Sequence, residues 1–296
     1  MSKLYDYNWW KTATTADLQV ELDTGADVMA QNKWGSTPLH DAAKVNTSAN
    51  IQILLAAGAD VMAQNKWGST PLHDAAKVDT PANIQILLAA GADVMARNKW
   101  GYTPLHLASA LGIPANIQTL LAAGADVMAR DKHGDTPLHA AAYSGTPANI
   151  RALLAAGADV MARSEEGSTP LHGAAGHGTH ESIQALLKAG AEVMERTEEG
   201  NTPLHDAAMN GTSENIQALL KAGAEVMERT EEGNTPLHSA VLQGSCGPGV
   251  IQDLLTAGAN VNAKNNEGET PWYLAQKNDE VIGTKGYWAL DEARFK

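Results

Sequence analysis

One cysteine, Cys246, and one phenylalanine, Phe295, in 296 residues set the first limits. A single thiol rules out an internal disulfide and a cysteine-rich zinc site. With aromatic residues at 5% and alanine and leucine dominant, the core has to consist of thin helix-to-helix layers. Basic residues are also scarce, 21 lysines and arginines against 34 acidic residues, for a formal net charge of −13. That balance opposes binding to nucleic-acid backbones or anionic membrane surfaces over most of the molecule. No apolar run approaches the ~18 residues of a transmembrane helix. The start, Met1-Ser2-Lys3-Leu4-Tyr5-Asp6, lacks the charged-then-apolar order of a secretory signal. The default location is therefore the cytoplasm, with export by a route that does not read the N-terminus left open.

What the chain has in abundance is repetition. Thr-Pro-Leu-His begins at Thr37, Thr70, Thr103, Thr136, Thr169, Thr202 and Thr235, each copy 33 residues after the last. A fixed period of that length marks a stack of small helical units, in which neighbours share one continuous core. In the unit from Asn65 to Arg97, Thr70-Pro71 reads as a helix start, with the hydroxyl placed to accept from an orphan backbone amide and proline at the first helical position. Leu72, Ala75 and Ala76 follow as one apolar stripe, and the two alanines allow close approach of the next repeat. Thr80-Pro81 starts a second helix carrying Ile84, Ile86, Leu87 and Leu88. Gly91 stands where a left-handed C-terminal cap is expected and recurs as Gly25, Gly58, Gly124, Gly157, Gly190, Gly223 and Gly258. The unit is thus a helical hairpin followed by a turn-rich connection that holds Gly101.

Gly-x-Thr-Pro-Leu-His followed by Ala-Ala, and then Leu-Leu-x-x-Gly-Ala-Asp-Val, closely resembles the ankyrin repeat from about Ala16 to Tyr273. The resemblance implies an all-α repeat solenoid, a curved stack of helical hairpins with projecting β-hairpin-like loops and a capping unit at each end. It also implies that partners dock on hairpin tips and inner helices, and that the repeated histidine is a structural hydrogen-bonding residue. One departure is systematic. The family's loop reads Val-Asn-Ala, but here Met29, Met62, Met95, Met128, Met161, Met194 and Met227 stand in place of the asparagine, which only Asn262 keeps. The family's asparagine ties neighbouring loops together, so its loss leaves open how these loops are satisfied. The methionines are either a packing ladder between repeats or a Met-rich partner surface.

The expected organisation is one continuous solenoid domain. It comprises an N-terminal capping half-repeat over 1–31, seven repeats over 32–264, and a C-terminal capping repeat and tail over 265–296. Glu21 replaces a core leucine in the first of these, as a cap requires, and Tyr5, Tyr7, Trp9 and Trp10 are expected to cover the open end. The opening Trp-Lys-Thr-Ala-Thr is similar to that of free-standing bacterial ankyrin proteins. At the other end Trp272 and Tyr273 replace Leu and His, and Tyr287, Trp288, Leu290 and Phe295 are expected to fold back over them. The seventh unit has two extra residues within Gly244–Gly249, read as a tolerated loop insertion.

The loop tips change character along the chain. They begin Lys33-Trp34, Lys66-Trp67, Lys99-Trp100 and Lys132-His133, and continue Glu165-Glu166, Glu198-Glu199, Glu231-Glu232 and Asn266-Glu267. Residues 1–99 carry 8 basic and 10 acidic groups, residues 100–296 carry 13 and 24, so negative charge gathers in the later repeats. At helix-packing distances of roughly 10 Å per repeat, Trp34, Trp67 and Trp100 form a row about 20 Å long, joined by Tyr102. Tryptophan is the residue most enriched among interface hot spots. Against that stands duplication: residues 28–60 and 61–93 differ only at Asn46/Asp79 and Ser48/Pro81, so the rings could be inherited together and lie flat on their loops. On the inner helices Asp41, Lys44, Asp74, Lys77, Leu111 and Tyr143 vary within a constant frame, as a binding face would.

Catalysis finds no support in these residues. His177 and His180 are the one close histidine pair outside the repeated motif and lack a third ligand nearby in sequence. The glycine runs lack the lysine and hydroxyl of a phosphate-binding loop, so no cofactor is called for. Glu195-Arg196 and Glu228-Arg229 read as solvated salt bridges of little energy. The expected function is a protein–protein interaction scaffold that is not an enzyme. It would engage a protein partner through Lys33, Trp34, Lys66, Trp67, Lys99, Trp100 and Tyr102 with the inner-helix positions. A monomer is expected, with exposed apolar stripes a route to self-association. The alternatives are an acidic mimic that blocks the basic site of a nucleic-acid-binding protein through the Glu165–Glu232 ladder, or a host-directed bacterial effector.

Overall fold

A computed structural model of the chain describes residues 3–45, 48–111, 113–243 and 249–295. Residues 244–248, with Cys246 and most of the expected insertion, lie outside them. The chain groups into two compact units, one of Met1–Lys132 with Ala155–Gly157, the other of His133–Leu154 with Ala158–Lys296. Among the described residues both are helical, without strands.

The first unit contains α1 (Tyr7–Trp10), α2 (Thr15–Asp23), α3 (Pro38–Ala43), α4 (Ser48–Ala56), α5 (Pro71–Ala76), α6 (Pro81–Ala89), α7 (Pro104–Ala110) and α8 (Pro114–Ala122). The short inner helices α3, α5 and α7 pack in one row and the longer α2, α4, α6 and α8 in another. The second unit continues with α9 (Pro137–Tyr143), α10 (Pro147–Ala155), α11 (Pro170–Gly176), α12 (His180–Lys188), α13 (Pro203–Asn210), α14 (Ser213–Lys221), α15 (Pro236–Gln243), α16 (Val250–Thr256), α17 (Pro271–Ala275) and α18 (Lys285–Ala293). There α9, α11, α13, α15 and α17 form the inner row, with α12, α14 and α16 behind.

Leu72, Ala75 and Ala76 are wholly buried, as their stripe predicts. In α6, however, only Ile84 and Leu87 are fully enclosed, while Ile86 and Leu88 reach the surface. The third buried position of that helix is polar. The Asn83 amide donates to the carbonyls of Ala43 and Val45 in the preceding repeat, and Asn116 likewise reaches Val78 at 2.7 Å. All the predicted glycine caps adopt positive φ, from 86° at Gly25 to 98° at Gly190. At the other turn glycine is required twice over: Gly101 has φ of 82°, and a Cβ there would stand 2.9 Å from the Lys132 amide nitrogen.

The helix starts differ from expectation in one respect. At Thr14, Thr270 and Thr284 the hydroxyl accepts from an amide of the first turn. In the Thr-Pro-Leu-His copies the threonine and histidine form a capping box, and the hydroxyl also turns to the imidazole. Thr70 N–H and Thr70 Oγ1 both direct their hydrogens at His73 Nδ1, at 3.1 and 2.9 Å, while Nε2 donates 3.0 Å to the Tyr102 carbonyl of the next repeat. His40, His172, His205 and His238 repeat the arrangement on Ser69, Asn201, Asn234 and Glu269. A ring nitrogen that accepts a backbone N–H has no proton of its own, so these rings are neutral with the proton on Nε2. Burial holds His73, His172 and His205 down at about 4 against the partial counter-pull of their carbonyl partners.

At the start of the chain Leu4 and Trp10 are the lid, with the buried indole N–H donating 3.0 Å to the Leu4 carbonyl. Tyr7 lies outside it, half exposed between the ammonium groups of Lys11 and Lys44. At the end Leu290 is buried and Tyr287 packs on Trp272 at 4.9 Å. Trp288 and Phe295 remain exposed, because α18 turns only one face toward α16 and α17.

Candidate functional site

Each loop tip is a tight turn closed by its own first side chain. Asn32 Oδ1 accepts from the amides of Trp34 and Ser36, Asn65 from those of Trp67 and Ser69, and Asn98 from those of Trp100 and Tyr102. Successive tips are then tied backbone to backbone: Lys66 N–H donates to Trp34 O at 3.0 Å, Lys99 to Trp67 at 2.9 Å, and Lys132 to Trp100 at 3.0 Å. The second unit uses the same ties, Glu198 to Glu166, Glu231 to Glu199 and Asn266 to Glu232, each at 2.9 Å. With the tips bonded directly, the first two rings meet at less than the spacing expected for them. Trp34 and Trp67 stack at 5.7 Å between centroids, 25° from parallel.

The tryptophans face solvent, with 50%, 39% and 46% of Trp34, Trp67 and Trp100 exposed. Lys33 lies 4.9 Å over the Trp34 ring, a favourable position for a cation on an aromatic face. Trp100 stacks on Tyr102 at 6.4 Å. Between the last two tips runs an open groove of about 540 Å³, lined by Trp67, Trp100, Tyr102, Leu107 and Lys77 among others.

Four of the inner-helix candidates form an ion ladder that the sequence did not reveal. Asp41 and Asp74 are only 3% and 2% exposed, so their carboxylates point into the molecule. Lys44 Nζ bridges them at 3.1 and 3.4 Å, and Lys77 reaches Asp74 at 3.1 Å. Burial works against the Lys44 ammonium, but Asp74 and Asp41 outweigh it and hold its pKa above the ordinary lysine value. The same burial pushes the Asp41 carboxyl up in spite of Lys44. Breaking such a pair leaves an uncompensated charge inside. Lys44→Met should therefore cost about 3 kcal/mol in a denaturant titration, whereas an unpaired surface lysine would cost almost nothing.

Asp206 occupies the same place in α13 but has Met209 where Asp41 and Asp74 have lysines. No cation pairs with it among the described residues, and burial, aided by the Glu199 charge, pushes it up to about 7. Leu111 in the first unit and Tyr143 in the second are both exposed, and the Tyr143 ring packs 4.2 Å from His177.

The methionine question has a direct answer. Met29 Sδ accepts from the Asp60 amide at 3.2 Å, Met62 from Asp93 at 3.3 Å and Met95 from Asp126 at 3.2 Å. Met161, Met194 and Met227 do the same for Glu192, Glu225 and Asn260. Sulfur thus takes the part of an amide oxygen in tying one loop to the next. The acidic loops carry a further, solvent-exposed tie, in which Arg163 and Arg196 each pair with a glutamate of the next repeat and not with a sequence neighbour. Arg163 bonds Glu195 at 2.5 Å and the Arg196 carbonyl at 2.6 Å, both one repeat ahead, and Arg196 treats Glu228 and the Arg229 carbonyl alike.

The repeated unit, its histidine lock and its stacked tips agree with the family comparison. Models described as ankyrin repeats in three copies match residues 13–98, 80–164 and 162–230, and a single ankyrin-repeat model matches 232–266. The chain belongs to the ankyrin-repeat family. Ankyrin repeats are protein–protein interaction modules, and proteins built of them are typically scaffolds without catalytic activity. No curated protein matches the chain. Among the described residues no helix of this ankyrin-repeat protein is long and apolar enough to cross a membrane.

Proposed function

We propose that the chain binds a protein partner through the Lys-Trp tips of its early repeats and the adjoining inner-helix face. The observation that carries this reading is the exposed Trp34–Trp67 stack on tips that backbone bonds hold rigid. Rigid aromatic rings offer large contact area with little ordering cost, and tryptophan truncation at a hot spot costs ~2 kcal/mol or more. Lys33, Lys66 and Lys99 beside the rings favour a partner surface that is acidic and apolar together. Asp41, Lys44, Asp74 and Lys77 act beneath it as a fixed support, and the exposed Leu111 of the same unit is a further apolar contact.

The test compares affinity capture by the wild-type chain and by the Trp34→Ala, Trp67→Ala, Trp100→Ala variant at matched thermal stability. A partner lost from the variant, with at least about tenfold weaker binding, supports the assignment. Unchanged capture removes function from the tips.

A further inference from the structure

The two tip ladders are chemical complements set at one pitch. Lys33, Lys66 and Lys99 occupy the positions that Glu165, Glu198 and Glu231 occupy four repeats later, and Trp34, Trp67 and Trp100 those of Glu166, Glu199 and Glu232. All twelve side chains are exposed. Both ladders are spaced by the same tip-to-tip amide bonds, 2.9–3.0 Å in one unit and 2.9 Å in the other. Each Lys-Trp tip offers two donors, an ammonium and an indole N–H. Each Glu-Glu tip offers two acceptors. Among the described residues none of the three lysines pairs with a carboxylate of its own chain, and none of the three indole N–H groups has an acceptor.

We infer that the partner of the Lys-Trp stripe is a second copy of this chain, presenting its Glu-Glu ladder tip to tip. This rests on the reading of that stripe as the docking site. In the contact three ammonium–carboxylate pairs and three indole–carboxylate hydrogen bonds form in register, and the Trp34–Trp67 stack is covered. Because donor and acceptor ladders are different surfaces, each such contact joins the first unit of one copy to the second unit of the other. The net charge of −13 repels copies from one another, so association that strengthens as salt is lowered has to arise from local pairing.

Sedimentation velocity of the full chain over a range of concentration, at low and at high salt, tests this. The wild type is expected to associate at low salt and dissociate at high salt. Lys33→Glu, Lys66→Glu, Lys99→Glu in one chain and Glu165→Lys, Glu198→Lys, Glu231→Lys in another should each weaken association at least about tenfold. An equimolar mixture of the two reversed chains should restore it, which a folding defect in either would prevent. A wild type that stays monomeric at low salt, or reversed chains that associate as it does, overturns the inference. A monomeric chain whose capture of another protein still needs the tryptophans would leave the docking site standing and remove only the second copy as its occupant.

Discussion

Unfolding midpoints in denaturant should fall steeply between pH 6.5 and 4.5. His73, His172 and His205 titrate at about 4 in the fold and near 6.5 once unfolded. Between those values the unfolded chain binds three protons there that the folded chain refuses, so their contribution is complete above pH 6.5 and is lost on acidification. Asp206 acts in the opposite sense. Its carboxyl holds a proton in the fold up to about 7 but only to about 4 when unfolded, so it favours the folded state in acid and penalises it above neutrality. The net uptake of two protons on unfolding corresponds to roughly 3 kcal/mol per pH unit across the window. His40 and His238, also held low by burial, add to the slope. Asp206→Asn should steepen it to roughly 4 kcal/mol per pH unit and should raise stability at pH 8. A flat response from pH 7 to 5 would mean that the folded histidines carry charge, which is incompatible with Nδ1 accepting the threonine amide.

His73→Leu should destabilise the chain by about 2–3 kcal/mol at pH 7, since it orphans one buried amide at ~1–3 kcal/mol and removes a bond to the next repeat. The Thr70 amide loses its acceptor, while the Tyr102 carbonyl loses one of two donors and keeps the Asn98 amide. Leucine is of similar size, so a pure packing role for the ring would predict a loss of only about 1 kcal/mol. The variant should also lose one histidine's share of the pH slope, which calorimetry at pH 7 and 5 would read independently of the overall loss. Because the bond crosses to the next repeat, the expected effect includes the coupling between neighbours, the term that lets a stack unfold together.

The fold was legible because its signals are local and repeated. Proline after threonine, the Ala-Ala pair and Gly91 each dictate a backbone geometry without help from distant residues. The ties between repeats were less so. Nothing in the string of letters tells which amide a methionine sulfur meets, and the donor to Met62, Asp93 N–H, lies 31 residues away. Reading inner-helix variation as surface placed Asp41 and Asp74 outward, when the small alanines beside them let α3 and α5 close over the carboxylates. The buried asparagines do leave a signal in the sequence: Asn50, Asn83, Asn116, Asn149 and Asn215 recur inside an otherwise apolar stripe, with Asp17, Ser182 and Val250 at the same position in other units. The tryptophan stack needed the tip-to-tip amide bonds, which periodicity cannot supply.

Those amide bonds have a consequence for how such a chain can diversify. Backbone N–H and C=O join each tip to the next in the same way whether the side chains beside them are Lys-Trp or Glu-Glu. Lys-Trp and Glu-Glu are therefore interchangeable spellings on one scaffold, and the chain already carries both. A mutation at Lys66 or Glu165 alters the surface while the tip-to-tip amide bonds stay in place, and copying a whole repeat copies its spelling with it. The surface can thus be rewritten one tip at a time, or lengthened by duplication, without any change to the grammar beneath it.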